Sequence, residues 1–233
     1  QRVTFAGDYK RQHDPTCMPF EPIKSDIFVT EATFGLPVFK HPDAYTQIEI
    51  LIKSIKKFPN RCHIIGVYSL GKAQRVIRML RTKGWMDTIY MHGSLVKICR
   101  LYEKFGIDLG RLEPATVKDK PEKPDEYYKG KLILAPPSAL SDVWSRRFPN
   151  PILGMASGWM TVKQRAKQRG INLPLIISDH ADWHDILKTI EEVSPKEVWV
   201  THGSEEALIY ACKKKNIKAK ALSIIGYESD TDI

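Results

Sequence analysis

The sequence predicts an α/β fold whose central strands run mostly parallel. Short β-rich runs alternate with stretches of helical period along the chain. Several of the helical stretches open on a capping residue or a glycine placed directly behind a strand. No internal repeat or low-complexity tract interrupts the alternation.

Residues 3–6 and 26–30 are the first two β-rich runs. Asp43, after Pro42, is the expected N-cap of a helix on which Ile48, Leu51, Ile52, Ile55 and Phe58 recur at helical spacing. Residues 62–68 read as a strand that Gly71 turns into a helix with Ala73, Val76, Ile77 and Leu80 on one face. Residues 88–91 form the next strand, and Ser94 is the expected cap of a helix that stops at Gly106. Residues 113–129, rich in Pro, Lys, Asp and Glu, read as an exposed loop or insertion. Residues 131–135 and 152–156 are further strands, each followed by helix. Residues 175–178 lead to a helix capped by Asp182, and residues 198–201 to one capped by Ser204.

A chain of 233 residues forms one large domain or two small ones, and 42% hydrophobic content is enough for a sizeable core. No stretch approaches the ~18 unbroken apolar residues of a membrane span. There is no signal-peptide pattern, and an opening on Gln1-Arg2 without methionine leads us to expect that the true N-terminus lies upstream. The four cysteines are scattered without a CxxC; Cys62 and Cys99 sit among apolar residues and read as core thiols of a cytoplasmic protein. A net charge of +9 favours polyanionic partners, although charge alone is weak ground for nucleic acid.

Four apolar runs finish in a group that binds a metal or moves a proton. VTFAG runs into Asp8, DIFVT into Glu31, LIISD into His180, and VWVT into His202. Ligands of α/β sheets bind beyond the carboxyl ends of the strands, where side chains are held rigidly. One acidic residue after a strand is ordinarily a cap or a turn; two acids and two histidines at four such ends is a pattern. Gly203 behind His202 either makes a tight turn or lets backbone and metal approach closely, with the imidazole offered to an oxygen-rich dinuclear site.

These residues carry a resemblance. Gly7-Asp8-Tyr9-Lys10-Arg11 resembles the fourth metal-binding motif of metallo-β-lactamase-fold enzymes, whose aspartate bridges two metals. Thr30-Glu31-Ala32-Thr33-Phe34-Gly35 is similar to β-CASP motif A, Ser178-Asp179-His180-Ala181-Asp182 to motif B, and Thr201-His202-Gly203 to motif C. Their order and the long interval between Glu31 and His180 match as well, because the β-CASP domain is inserted between motifs A and B. The runs Thr33–Phe39, Tyr68–Gln74 and Ala135–Leu140, with Phe20, look like the ligase-associated DNA exonucleases, a group also labelled mRNA 3′-end processing factors. The resemblance covers essentially the whole chain. It implies the C-terminal half of a metallo-β-lactamase αββα sandwich, residues 1–38 and 174–233, with a β-CASP insertion over residues 39–173. Members carry an HxHxDH metal motif, and none occurs here. Either the sequence is a fragment or a partner chain supplies the first half of that sandwich; we expect a fragment of a longer enzyme, inactive or nearly so on its own.

The chemistry that the resemblance implies is phosphodiester hydrolysis at two divalent metals, zinc or manganese. Asp8 would bridge both ions and His202 would hold one. His180 would donate a proton to the leaving oxygen, with Glu31 orienting it. Asp182 and Asp185 have N-cap spacing, so Asp182 caps the next helix or touches a ligand from behind. His184, His92, His63, His41 and His13 carry no strong claim; His63 reads as a core residue and His92 as a weak substrate contact. Lys163, Arg165, Lys167 and Arg169 form the clearest basic cluster, either a solvated helix face or a nucleic-acid contact. Lys72, at a helix start behind Gly71, is a phosphate contact of the same kind. Trp159 and Tyr68 stack on bases or simply pack.

The leading expectation is a DNA exonuclease acting in repair beside an ATP-dependent DNA ligase, with no membrane association. The first alternative is an RNase of the same superfamily, which His202 in motif C slightly favours, since DNA-repair members in eukaryotes tend to have an apolar residue there. The second is a non-catalytic nucleic-acid-binding module.

Overall fold

The computed structural model describes residues 1–115, 124–148 and 150–222. In chain order the elements are β1 (Val3–Phe5), β2 (Ile27–Ala32), α1 (Ala44–Lys57), β3 (His63–Gly66), α2 (Lys72–Thr82), β4 (Ile89–Met91) and α3 (Gly93–Lys104). There follow β5 (Leu112–Pro114), the one-turn α4 (Pro124–Tyr127), β6 (Leu132–Ala135), β7 (Ile152–Ala156) and α5 (Lys163–Gln168). Then come β8 (Leu173–Leu175), α6 (Trp183–Val193), β9 (Glu197–Gly203), α7 (Glu205–Lys214) and β10 (Lys218–Ala221). Among the described residues every strand pairing is parallel, as the alternation of strand and helix predicts.

The chain divides into two compact units. The first comprises Gln1–His13, Pro19–His41 and Asp179–Ile233. Its sheet has the order β1-β2-β9-β10. All six residues of β2 are buried, as expected of a strand with a neighbour on each side and a covered face. Phe28, Val198 and Val200 pack with Ile186, Ile190 and Val193 of α6 and Leu208 and Cys212 of α7. Each such apolar side chain contributes roughly 1.5–3 kcal/mol of burial.

The second unit comprises Asp14–Met18 and Pro42–Ser178, with a sheet in the order β5-β4-β6-β3-β7-β8. Asp43 caps α1 by accepting from the Thr46 amide, and Ala44, Ile48, Leu51 and Ile55 bury one face at i, i+4, i+7 and i+11. Both edge strands carry an exposed proline, Pro114 in β5 and Pro174 in β8. A proline on an edge cannot donate to a further strand, so it blunts the edge against pairing with another chain.

The structure corrects several sequence expectations. The cap of α3 is His92 rather than Ser94: the His92 Nδ1 accepts from the Ser94 amide at 3.1 Å. Residues 113–129 are not wholly loop, because β5 and α4 fall within or against them; residues 116–123 lie outside the described residues. The strand expected at 175–178 ends at Leu175, which leaves Ile176 to Asp182 irregular. Ser204 precedes α7 without a side-chain capping bond. Short 3₁₀ turns rather than helix follow β6.

His63 is a core residue. It is fully buried in β3, with Nε2 2.9 Å from the Ser54 hydroxyl, and burial drives its pKa down to about 4. A histidine whose pKa is depressed on folding binds its proton first in the unfolded chain, so acid favours unfolding. Stability should fall as pH drops from about 6.5, the unfolded value, to about 4, the folded value. That window is worth about 3 kcal/mol. Urea midpoints measured across it should show a slope that His63→Gln flattens; an unchanged slope would assign the acid sensitivity to other groups.

Candidate active site

The site is built where β2 and β9 end in the first unit. Glu31 is the penultimate residue of β2 and is 1% exposed, so its carboxylate must be fully satisfied by protein donors. It is. Oε1 accepts the Tyr9 amide at 2.9 Å, while Oε2 accepts the Thr33 hydroxyl at 2.6 Å and faces His180 Nδ1 at 2.7 Å. With Oε2 already an acceptor, the His180 ring donates through Nδ1, and any proton given or metal bound by His180 passes through Nε2.

Asp8 reaches the same place by a different route. β1 hands over to a turn in which Gly7 takes a positive φ of 58°. The following residue, Tyr9, is tied by backbone on both sides: its N–H donates to Glu31 and its carbonyl accepts the Ala181 amide at 2.6 Å. Its ring is buried, stacked on Phe20 at 5.0 Å and edge-on to Phe28 at 6.5 Å. Burial pushes the Tyr9 phenol up to about 12, so it stays neutral. One residue therefore locks the spacing of its neighbours Asp8 and His180, whose Oδ1 and Nδ1 are 4.0 Å apart. Asp8 is the solvent-facing member, with 70% of its side chain exposed against 30% for His180.

His202 is delivered by a bulge. Glu31 pairs with Thr201 and Ala32 with Gly203, which leaves His202 as the extra residue. It adopts a left-handed φ of 56° and is exposed, with Nδ1 3.0 Å from the Thr201 hydroxyl. A left-handed conformation costs a non-glycine residue about 1 kcal/mol, and such outliers gather at functional sites. Gly203 makes the bulge fit: it has φ of 104° and lies against the Ala32 carbonyl. That carbonyl accepts the amides of both Gly35 and Ser204, at 2.9 and 3.0 Å.

Asp8, Glu31 and His180 each offer one donor atom, all within 4.8 Å of one another. His202 is not part of this group. Carboxylate and imidazole donors suit zinc or manganese. Glu31, however, is buried with both oxygens engaged, so within the group a cation has Asp8 as its exposed oxygen donor. In this group Asp8 is thus the carboxylate open to a cation, with Glu31 behind His180.

Asp182 is a structural residue. Oδ1 caps α6 through the Asp185 amide at 2.9 Å and Oδ2 accepts the His41 amide at 2.8 Å. The His41 ring in turn lies edge-on to Phe34 at 4.6 Å, and Phe34 lies edge-on to His180 at 6.0 Å.

In the second unit the basic residues separate. Lys163 and Lys167 lie one turn apart on α5, Arg165 and Arg169 on its other flank, with buried Ala166 between the two pairs. The Arg165 guanidinium sits 3.9 Å over the Trp159 ring, and Arg169 donates to the Met155 sulfur at 3.8 Å. Lys72 departs from expectation: it is 2% exposed and its ammonium donates to the Ile177 carbonyl at 2.8 Å. It therefore holds backbone rather than presenting a charge to phosphate. His92 faces Trp144 at 4.9 Å and serves as a helix cap. Sequence reasoning missed Tyr9 and Thr33 as parts of the site; both stand inside the recognised motifs, but nothing in residue type shows which side chains face inward.

Residues 175–220 match the family described as the Zn-dependent metallo-hydrolase RNA specificity domain, RMMBL. That stretch contains His180, Asp182 and His202. The chain is also 25% identical over 232 residues to a "Probable DNA ligase" of Opitutus terrae, covering 94% of this chain and 21% of the ligase. Over 83 residues it is 35% identical to "Endoribonuclease ysh1" of Aspergillus fumigatus, covering 34% of this chain and 9% of that protein. The chain thus spans a small part of each relative. A crystal structure of a protein of unknown function from Enterococcus faecalis V583 shares the fold, with a TM-score of 0.57, 13% identity, and coverage of 94% of this chain and 56% of that one. The RMMBL match and the two relatives are consistent with the metallo-β-lactamase/β-CASP superfamily that the motifs resemble.

Proposed function

We propose that the chain is part of a metal-dependent phosphodiesterase that degrades DNA as an exonuclease in ligase-associated repair. The observation that carries the reading is the His180 ring, paired with buried Glu31 and set 4.0 Å from the exposed Asp8 carboxylate. Glu31 holds Nδ1, which leaves an Nε2–H turned away from that carboxylate to serve as the proton donor. Two divalent ions, zinc or manganese, would be held by Asp8 and His202; such ions would activate water and offset charge building on a phosphodiester. His180 protonates the leaving oxygen of the chain being cut. Thr201, by engaging Nδ1 of His202, leaves that residue to coordinate through Nε2.

DNA is favoured as substrate by the span of the likeness to the "Probable DNA ligase", 94% of this chain. RNA is the second reading, supported by the RNA named in the RMMBL description and by the likeness to "Endoribonuclease ysh1". The net charge of +9 and the Arg165–Trp159 stack suit either polymer. Matched single-stranded DNA and RNA oligonucleotides, end-labelled and offered to the full-length protein with zinc or manganese, decide between them. Stepwise loss of nucleotides from DNA is the expected result. Faster cleavage of RNA would move the assignment to the ribonucleases. Metal-independent binding without cleavage of either would leave a nucleic-acid-binding module.

A further inference from the structure

We propose that Thr33 is a positioning residue that fixes the orientation of the His180 imidazole by acting through Glu31; the consequence for rate rests on the proton-donor reading above. The terminal torsion of a glutamate side chain is broad and soft, so a carboxylate held at one oxygen can still turn. Glu31 is held at both. The Tyr9 amide pins Oε1 at 2.9 Å, and the Thr33 hydroxyl pins Oε2 at 2.6 Å. Oε2 is also the atom that faces His180 Nδ1 at 2.7 Å. The direction of the Glu31–His180 bond is therefore set by where Thr33 holds Oε2.

The surrounding backbone holds Thr33 in turn. It opens the turn after β2, closed by the Gly35 amide on the Ala32 carbonyl at 2.9 Å. Gly203 packs against it so tightly that an added Cβ would stand 2.8 Å from the Thr33 Cα. The pin is thus wedged between motif A and the bulge of β9, and it is half-buried, where water competes poorly for a carboxylate oxygen.

Thr33→Val keeps the shape and removes the hydroxyl, Thr33→Ser keeps the hydroxyl, and Thr33→Ala serves if the valine fails to fold. Histidine-ring ¹H–¹⁵N spectra of this chain, at one fixed pH alkaline enough that the ring is neutral, read the result without activity. Wild type and Thr33→Ser should show His180 protonated at Nδ1 in a single state, and Thr33→Val or Thr33→Ala a mixture of tautomers with a faster-exchanging Nδ1 proton. On a single-stranded oligodeoxynucleotide, metal-loaded full-length Thr33→Val should lose about 10-fold in kcat with KM and metal content unchanged. A single Nδ1–H state in both Thr33→Val and Thr33→Ala, or a serine variant as disordered as the valine, would overturn the proposal. A tautomer mixture with unchanged kcat would support Thr33 as the pin and overturn the proton-donor role of His180 instead.

Discussion

His180→Ala should slow metal-dependent hydrolysis of a single-stranded oligodeoxynucleotide by about 10²–10⁴-fold, the usual cost of losing a general acid, with bound metal unchanged. The geometry explains why the two effects separate. His180 Nδ1 is committed to Glu31 at 2.7 Å and lies 4.0 Å from Asp8, so removing the ring leaves the carboxylate of Asp8 and the bulge that carries His202 in place. His202→Ala should fail in another way. It removes a nitrogen donor, and metal content measured by elemental analysis should fall together with the rate. A further comparison isolates the proton. A p-nitrophenyl ester of a nucleotide expels a stable phenolate that needs little protonation, whereas a nucleotide alkoxide needs much. His180→Ala should therefore be far less impaired on the p-nitrophenyl ester, and His202→Ala impaired on both. Equal losses on the two substrates, or equal loss of metal in the two variants, would remove the division of roles between these histidines.

The parallel α/β architecture was legible because its signals are local. The 3.6 period of α1 and the cap at Asp43 are fixed by residues a few positions apart. So was the end of β2 near Glu31, since a polar residue late in an apolar run marks where a strand leaves the core, whereas β8 stops at Leu175, well before His180. Three-dimensional commitments were not legible. Lys72 reads as an exposed cation at a helix start, yet its ammonium is folded inward to the Ile177 carbonyl, a partner 105 residues away. The basic residues of α5 read as one run, but a helix places residues two apart nearly opposite each other, and Ala166 divides them. Thr33 and Tyr9 carry no functional signature; only the folded chain shows one hydroxyl and one amide meeting the same carboxylate. The β-bulge at His202 left a trace in the sequence, Gly203, legible as a tight turn or a close approach, while its contact with the Ala32 carbonyl was not.

Gly203→Ala should be the most damaging small substitution in the site, destabilising the first unit by roughly 3 kcal/mol and abolishing the placement of His202. An added Cβ would stand 2.0 Å from the Ala32 oxygen and 2.4 Å from its carbon, distances that no rotamer change relieves because both atoms are backbone. The residue would also have to hold a φ of 104°, which L side chains rarely adopt. Relief requires β9 to move off the end of β2. That movement breaks the Ser204 amide bond to the Ala32 carbonyl and shifts Thr33, which the same Cβ would approach at 2.8 Å. Gly7 is the internal control. It too has a positive φ, 58°, and it precedes Asp8, but nothing lies within 4 Å of an added Cβ. Gly7→Ala should therefore cost only the left-handed conformation, about 1 kcal/mol. Urea unfolding of the two variants beside wild type measures the difference directly. If Gly203→Ala unfolds at the same urea concentration as Gly7→Ala, the close packing of the bulge on Ala32 is not what holds the end of β9, and the conformation of His202 must be set from elsewhere.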